Sequence, residues 1–421
     1  MEEFQYRNKK LFCENTSLED VARQFGTPLY VYSKNSVIDH CRHIEDALKE
    51  IDHLSCYAIK ANGNREILRL LAREGIGADA GSMGEIALAL AEGFPAEKIT
   101  FTGVGKSDEE IEFALRHNIH SFNVESEEEI KIISSIAERT WTKAKILLRV
   151  NFDIQTKTHK YTSTGHKHSK FGIERERALE IAKKAVKSHG ISLIGIHSHI
   201  GSQITDPETF QNAAKEVVRL VNELREHGIP ITDINFGGGF GVQYHDFVTH
   251  PLLPDDGTHA DNGVTTVNLL KSIVPILKEA NAKILLQPGR SIVAHSGILL
   301  TKVLYTKQSG DKKFIIVDAG MNDLIRPSLY QSYHQIVPLT LKKSEHETVD
   351  VVGPLCETGD FFAHERKLPA VKRGDYLALL CTGAYGYVLS SNYNGRQRPA
   401  EVMVEGEECV IIRNRETIHQ L

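Results

Sequence analysis

Residues 54–81 have the sequence LSCYAIKANGNREILRLLAREGIGADAG, in which an amphipathic helical stretch separates two short apolar runs. Leu68, Leu71 and Ala72 follow the three- and four-residue spacing of one helix face. The same alternation continues to about residue 290 and predicts eight strands: Leu54–Lys60, Ile76–Gly81, Ile99–Val104, Ser121–Glu125, Ile146–Asn151, Leu193–Ile200, Asp233–Phe240 and Lys283–Gln287. Eight strand–helix repeats in about 250 residues are typical of a parallel (β/α)8 barrel. An open doubly wound sheet remains the alternative, because periodicity alone does not separate the two folds.

The sequence pattern changes after residue 290, where helical periodicity is replaced by short β-rich runs between Gly and Pro turns. These runs are Ile292–Leu300, Lys313–Asp318, Thr348–Val352, Tyr376–Leu380 and Glu401–Ile412. We therefore predict a barrel over residues 35–290 and a mainly β C-terminal domain over residues 291–421. Residues 1–34, with their extended Pro28–Tyr32 segment, are predicted to join that β domain.

The composition is that of an ordinary globular protein and excludes several classes of function. The 421 residues are 41% hydrophobic and 25% charged, with a formal net charge of −5, which argues against disorder and against nucleic acid as the main partner. No signal peptide or membrane segment is predicted, because the start is acidic and no apolar stretch nears the roughly 20 residues that a spanning helix needs. The six cysteines are scattered without a C-x-x-C pair, which predicts reduced thiols in a cytoplasmic protein.

Chemically unusual residues fall at the predicted strand ends, where the functional loops of a barrel lie. Lys60 ends the first strand and is a candidate for a Schiff base, although a surface lysine is the alternative reading. His197 and His199 end the sixth strand, and strand alternation predicts that they share one face. A metal pair would need more ligands, and Asp79 is the only obvious one, so we predict no metal site. A neutral imidazole lying against an aromatic cofactor fits equally well.

The seventh and eighth predicted strands end in sequences suited to an anion. Residues 237–241 read GGGFG, and glycines expose backbone N–H groups to a phosphate, although many such clusters are only tight turns. Residues 287–290 read QPGR, which places the Arg290 guanidinium at the same end of the barrel. A structural salt bridge is the alternative role for this arginine. A lysine, an imidazole, a glycine loop and an arginine on four strands together predict bound pyridoxal 5′-phosphate (PLP).

On these motifs the chain resembles the fold-type III PLP-dependent decarboxylases, whose barrel is similar to that of alanine racemase. The resemblance covers nearly the whole chain. In the barrel it rests on YAIKAN at 57–62, SKFG at 169–172, HSHIGSQ at 197–203 and GGGFG at 237–241. In the β domain it rests on MNDLIRPSLY at 321–330, GPLCETGD at 353–360, GAYG at 383–386 and NYNGR at 392–396.

The resemblance implies a role for each matched residue. Lys60 would bind PLP covalently, and His199 would stack on its pyridine ring. The rest of the implied cofactor site is Ser202, Gly237, Gly238, Gly239, Gln287, Pro288, Gly289 and Arg290, with Asp79 and Glu85 nearby in less defined roles. The implied substrate-binding residues are Arg290, Arg326, Tyr330, Glu357 and Tyr385, of which Tyr385 would also lie near the cofactor.

The resemblance also implies a homodimer with shared active sites. Cys356 and Glu357 would come from the partner subunit, Cys356 as proton donor and Glu357 as the group that recognises the distal amino group of the substrate. The C-E-T sequence favours diaminopimelate over ornithine, so the implied reaction converts meso-2,6-diaminopimelate into L-lysine and CO2, the last step of lysine biosynthesis. There are two alternatives: decarboxylation of a related substrate such as a carboxylated polyamine, and a non-catalytic PLP-binding role.

Gln287 departs from the family pattern, because relatives usually carry a glutamate there that pairs with the protonated pyridine nitrogen. An amide can accept a hydrogen bond from that nitrogen but supplies no countercharge. The sequence therefore predicts slower turnover rather than weaker PLP binding. From the sequence alone, Gln287→Glu is expected to raise kcat and to leave the PLP affinity nearly unchanged.

Overall fold

The computed structural model describes residues 3–154, 170–254 and 265–421 of the chain. The chain divides into two compact units. The first, called here the β unit, comprises Met1–His40, Gln243–Gly263 and Ile292–Leu421. The second, the barrel unit, comprises Cys41–Val242 and Val264–Ser291. The first residue of the predicted SKFG motif, Ser169, lies outside the described residues.

The N-terminal elements begin with a small antiparallel sheet of three consecutive strands. The elements are β1 (Phe4–Arg7), β2 (Lys10–Cys13), β3 (Thr16–Ser17), α1 (Leu18–Phe25), β4 (Leu29–Ser33) and α2 (Lys34–Leu48). Every residue of β4 is buried, which is the pattern of a central strand covered on both faces.

In its described residues the barrel unit contains nine strands, all of which pair in parallel. They are β5 (His53–Ala58), β6 (Gly77–Ala80), β7 (Ile99–Thr102), β8 (Ser121–Val124), β9 (Ala144–Asn151), β10 (Ile173–Glu174), β11 (Ile191–His197), β12 (Asp233–Asn235) and β13 (Lys283–Leu286). The order β9-β11-β12-β13-β5-β6-β7-β8 closes through a β8–β9 pairing, and the two-residue β10 attaches to β9. The closure confirms the predicted eight-stranded barrel, and the open-sheet alternative is wrong.

Eight helices alternate with the eight strands of the closed barrel, with β10 standing between β9 and the next helix, and most of these helices begin at a residue with a capping side chain. They are α3 (Arg65–Arg73), α4 (Met83–Ala91), α5 (Asp108–Arg116), α6 (Glu127–Arg139), α7 (Ala178–Ala185), α8 (Pro207–Glu226), α9 (Thr266–Lys278) and the short α10 (Arg290–Val293). The Ser107 hydroxyl, for example, accepts a hydrogen bond from the Glu110 N–H, and the Glu110 carboxylate accepts one from the Ser107 N–H. Leu68 and Leu71 are fully buried, as the amphipathic spacing predicts.

The C-terminal elements form the main sheet of the β unit. They are β14 (Gly297–Ser309), β15 (Lys312–Val317), α11 (Arg326–Tyr330), β16 (Ile336–Pro338), β17 (His346–Val352), β18 (Phe361–Pro369), β19 (Tyr376–Leu379), β20 (Ala400–Glu405) and β21 (Glu408–Arg413). The strand order is β18-β17-β15-β14-β4-β20-β21, and β19 pairs with β14 and β16. The N-terminal β4 therefore lies inside the C-terminal sheet, antiparallel to β14 and parallel to β20.

The β unit also takes in Gln243–Gly263, a segment that the sequence assigns to the barrel. Val248 and Gln335 explain the difference, because the Val248 N–H donates to Gln335 Oε1 at 2.9 Å and Gln335 Nε2 donates to the Val248 carbonyl at 2.8 Å. His295 makes a further contact of 2.6 Å with the Gln243 carbonyl. Such long-range hydrogen bonds leave no periodic signal in the sequence.

Among the described residues, no helix combines the length and apolar character needed to cross a membrane.

Candidate active site

Lys60 lies two residues beyond the end of β5, in a 3-10 turn over Ile59–Ala61 rather than in the strand where the sequence places it. The chain leaves the strand direction because the turn after β13 packs against it: the Ala58 N–H donates to the Pro288 carbonyl at 2.9 Å. A Cβ on Gly289 would lie 3.1 Å from the Cβ atoms of Ala58 and Ala61. The side chain of Lys60 is exposed at this end of the barrel.

His197 and His199 occupy different environments, although the sequence predicts one shared face. His197 ends β11 and is fully buried, whereas His199 lies beyond the strand and is mostly rather than fully buried. Burial, followed by the charges of Lys60 and Arg149, lowers the pKa of His199 well below its usual value. The Gly238 N–H donates to His199 Nδ1 at 3.3 Å, which leaves the proton of the neutral ring on Nε2. The ring is thus uncharged and held by the backbone.

The three glycines after β12 are required by the close packing of neighbouring strand ends. A Cβ on Gly238 would lie 2.1 Å from the Gln287 carbonyl oxygen, a distance that no side chain tolerates. A side-chain hydrogen bond joins the segments that follow β13 and β11, because Arg290 Nη2 donates to Ser202 Oγ at 3.0 Å. A hydroxyl, a guanidinium and glycine backbone therefore adjoin at the ends of β11, β12 and β13, and these are groups that bind a phosphate.

Asp79 and Gln287 meet at the ends of β6 and β13, a contact that the sequence does not predict. Gln287 Nε2 donates to Asp79 Oδ1 at 2.8 Å and to Thr102 Oγ1 at 3.1 Å. The hydroxyls of Thr100 and Thr102 also donate to Asp79 Oδ1. Burial raises the pKa of Asp79, and the charge of Lys60 and the threonine hydrogen bonds oppose that shift.

The residues of the barrel unit fit PLP by their chemistry. Lys60 offers an exposed primary amine for the aldehyde, and His199 offers a neutral ring held in one orientation. Ser202 and Arg290 offer donors for the phosphate beside the glycine loop. Within the part of the chain that the structure describes, no three His, Cys, Asp or Glu side chains are grouped so that they could hold a metal ion.

Arg326 and Tyr330 lie on α11 of the β unit, and the Arg326 guanidinium is buried among partners that the sequence does not predict. Arg326 Nη1 lies 2.9 Å from His334 Nε2 and Nη2 lies 3.3 Å from Ser332 Oγ, while the guanidinium carbon stands 4.9 Å from the Tyr244 ring centre. His334 Nδ1 lies 2.8 Å from the Leu380 carbonyl and so carries the ring proton. His334 Nε2 is therefore an acceptor that, together with Ser332 Oγ, orients Arg326.

Cys356 and Glu357 lie on an exposed loop between β17 and β18. Glu357 Oε1 accepts from the Gly359 N–H at 3.2 Å and Oε2 accepts from the Tyr393 hydroxyl at 3.4 Å. The loop is shaped by buried Asp360, whose two carboxylate oxygens accept the backbone N–H groups of residues 321 and 355, each at 2.6 Å. The acid at the end of the GPLCETGD motif thus fixes the loop backbone and leaves the thiol exposed.

Tyr385 stands in the left-handed region, with φ at +57°. This conformation costs about 1–3 kcal/mol for a bulky residue, so the surrounding structure must impose it. Gly383 shows how tightly the segment is held, because a Cβ there would lie 1.9 Å from the Val293 carbonyl oxygen.

The predicted site residues thus form one group in each unit. The barrel unit carries Lys60, Asp79, His199, Ser202, Gly237, Gly238, Gly239, Gln287, Pro288, Gly289 and Arg290. The β unit carries Arg326, Tyr330, Cys356, Glu357 and Tyr385. Thr100, Thr102, Ser332 and His334 support these groups, and no local motif marks them.

Comparison with known proteins decides the family. Residues 34–294 match the pyridoxal binding domain of the pyridoxal-dependent decarboxylases, which is more than half of the chain. The chain belongs to this family. The match spans the whole barrel, including Lys60, the glycine loop and the turn at Gln287.

Individual members of the pyridoxal-dependent decarboxylases are similar to this chain over nearly its full length. A diaminopimelate decarboxylase of Aquifex aeolicus is 44% identical over 412 residues, covering 98% of this chain and 94% of that protein. The structure of diaminopimelate decarboxylase from Helicobacter pylori complexed with L-lysine has a TM-score of 0.88 at 40% identity, covering 96% and 98% of the two chains. The M. jannaschii enzyme in complex with L-lysine has a TM-score of 0.91 at 35% identity, covering 99% and 95%.

Proposed function

We propose that this protein uses PLP to decarboxylate meso-2,6-diaminopimelate to L-lysine and CO2. The observation that carries the proposal is the grouping of Lys60, neutral His199 and the Ser202–Arg290 pair at one end of the barrel. The full-length similarity to diaminopimelate decarboxylases, two of them solved with L-lysine, supports the choice of substrate. The reaction would be the last step of lysine biosynthesis.

The barrel residues would hold and orient the cofactor. Bound PLP supplies an electron sink for the electron pair that remains on the α-carbon when CO2 leaves. Lys60 would hold the cofactor through its aldehyde, His199 would lie against its ring, and Arg290 with Ser202 would bind its phosphate. His199 suits this position because an uncharged ring does not repel a protonated pyridine.

The β-unit residues would bind the substrate and return a proton. Arg326, together with Tyr330, binds a substrate carboxylate through a guanidinium whose direction His334 fixes. Cys356 of the partner subunit donates a proton to the α-carbon after decarboxylation, and Glu357 of the same loop accepts hydrogen bonds from the distal ammonium group. The active protein is then a homodimer with shared sites. The absence of disulfides among its six cysteines agrees with a cytoplasmic location.

Comparing substrates tests this function against its alternatives. PLP-loaded protein is offered meso-diaminopimelate, a carboxylated polyamine, L-lysine and L-ornithine, and CO2 release gives kcat/KM for each. We expect meso-diaminopimelate to have the highest value. A higher value for the carboxylated polyamine would assign the protein to that substrate. No CO2 from any of them, with PLP binding seen by absorbance, would indicate a non-catalytic PLP-binding protein.

Replacing His334 by alanine should raise KM for meso-diaminopimelate about 10-fold and change kcat little. The Arg326 guanidinium loses the acceptor that orients it, and about 1.4 kcal/mol is typical of one such hydrogen bond. Steady-state kinetics measure the two constants, and His334→Gln, which keeps an acceptor, should recover part of the loss. His364→Ala, which changes an exposed histidine of the same unit, is the control. An unchanged KM in folded His334→Ala protein would show that His334 does not contribute to substrate binding.

A further inference from the structure

The side-chain amide of Gln287 is held in one orientation. Its nitrogen contacts two acceptors, Asp79 Oδ1 at 2.8 Å and Thr102 Oγ1 at 3.1 Å. The Thr102 hydroxyl donates its own proton to Asp79, so its oxygen is an acceptor toward Gln287. Both amide N–H groups of Gln287 therefore have acceptors, and the amide oxygen Oε1 points away from Asp79.

The partner of this amide is a buried carboxylate that accepts several hydrogen bonds. Asp79 is 4% exposed, and its Oδ1 accepts from Thr100, Thr102 and Gln287. The charge of Lys60 also favours the ionised form and opposes the effect of burial on the Asp79 pKa. A negative charge thus lies one hydrogen bond behind the Gln287 amide, and such a charge polarises the amide and strengthens its oxygen as an acceptor.

We propose that Asp79 and Gln287 act as one unit in place of the glutamate usual in this family, with Gln287 Oε1 accepting the hydrogen bond of the protonated pyridine nitrogen and Asp79 supplying the charge behind it. The inference rests on the proposed function only in needing bound PLP. It makes Gln287 a cofactor-binding residue and Asp79 a positioning residue that acts through it.

This contact changes the effect expected for Gln287→Glu. A glutamate at 287 would place a second carboxylate at hydrogen-bond distance from Asp79, with no N–H between the two. Two buried carboxylates so close do not both ionise, so one of them must stay protonated at neutral pH, which costs free energy of folding. The single substitution therefore gains no turnover, contrary to the expectation from the sequence alone. Asp79→Asn in the same chain removes the repulsion and leaves one carboxylate.

The test compares four proteins: wild type, Asp79→Asn, Gln287→Glu and the double variant. Each is loaded with PLP labelled with 15N in the ring, and the 15N chemical shift gives the protonated fraction of the pyridine nitrogen. The Tm of each apoprotein is also measured by thermal unfolding. Asp233→Asn, which changes a buried aspartate at the first residue of β12, is the matched control. Neither readout needs turnover, so a wild-type protein that releases no CO2 contradicts the proposed function and leaves this inference testable.

We expect Asp79→Asn to lower the protonated fraction at least twofold and Asp233→Asn to leave it at the wild-type value. Gln287→Glu should lower the Tm of the apoprotein by about 3 °C or more. The double variant should recover both the Tm and the protonated fraction. A wild-type 15N shift in Asp79→Asn, or a Gln287→Glu apoprotein as stable as wild type, overturns the proposal. If Asp79→Asn does not fold, Gln287→Met is measured instead. This variant lacks the amide oxygen that accepts from the pyridine nitrogen, so its protonated fraction should be lower than in wild type. An unchanged 15N chemical shift in Gln287→Met would refute the proposal.

Discussion

Lys60→Ala is expected to lower kcat/KM for meso-diaminopimelate at least about 10³-fold, the size of contribution that a positioned covalent or proton-transfer group makes. The lysine amine is the group that would bind the PLP aldehyde, and alanine offers no substitute. Because the Lys60 side chain is exposed, the substitution removes no buried packing and the Tm should change little.

The measurement pairs CO2 release with the visible absorbance of bound PLP. Lys283→Ala is the matched control, because that lysine is the first residue of β13, at the opposite end of the barrel strands from Lys60. Lys283→Ala should keep full activity and absorbance. Lys60→Ala protein that is folded and retains more than a tenth of wild-type activity would mean that another group binds the cofactor.

Mixing two inactive variants, Lys60→Ala and Cys356→Ala, should restore activity. If each site combines Lys60 of one chain with Cys356 of the other, a mixed dimer has one intact site. Random exchange of equal amounts makes half of the dimers mixed, which predicts about a quarter of wild-type activity. Alone, Cys356→Ala should lose about 10²–10⁴-fold in kcat, as expected for a general acid.

Native mass spectrometry on the mixture shows whether subunits have exchanged, and CO2 release shows whether sites are restored. Cys41→Ala, which changes a buried thiol, should stay active by itself and serves as the control. Mixed dimers that form and release no CO2 would contradict the shared-site arrangement and place the chemistry within one chain.

The barrel could be predicted from the sequence because its signal is local. Each strand is a short apolar run, and each helix has an apolar face such as that of Leu68 and Leu71, so the alternation is visible without tertiary information. Strand ends were harder to predict. Lys60 lies outside β5 because the turn at Pro288 packs on Ala58, and packing between distant segments leaves no periodic pattern.

The residues of the candidate site could likewise be predicted where the signal is local and could not where it depends on tertiary contacts. His199, Ser202 and the glycine loop stand in consecutive motifs, so residue type and order suffice to single them out. The Asp79–Gln287 hydrogen bond joins residues 208 positions apart, and it exists because the barrel closes with β13 beside β5 and β5 beside β6. The Arg326–His334 contact also depends on tertiary structure, because the Leu380 carbonyl, 46 positions away from His334, orients the histidine ring.

The products formed from meso-diaminopimelate show directly whether the protein is the decarboxylase proposed here. PLP-loaded protein is incubated with the substrate, and CO2 and L-lysine are quantified against the diaminopimelate consumed, with the apoprotein as control. We expect equal amounts of CO2 and L-lysine, each matching the substrate lost, and none from the apoprotein. Protein that has bound PLP and is folded yet forms no L-lysine would contradict it.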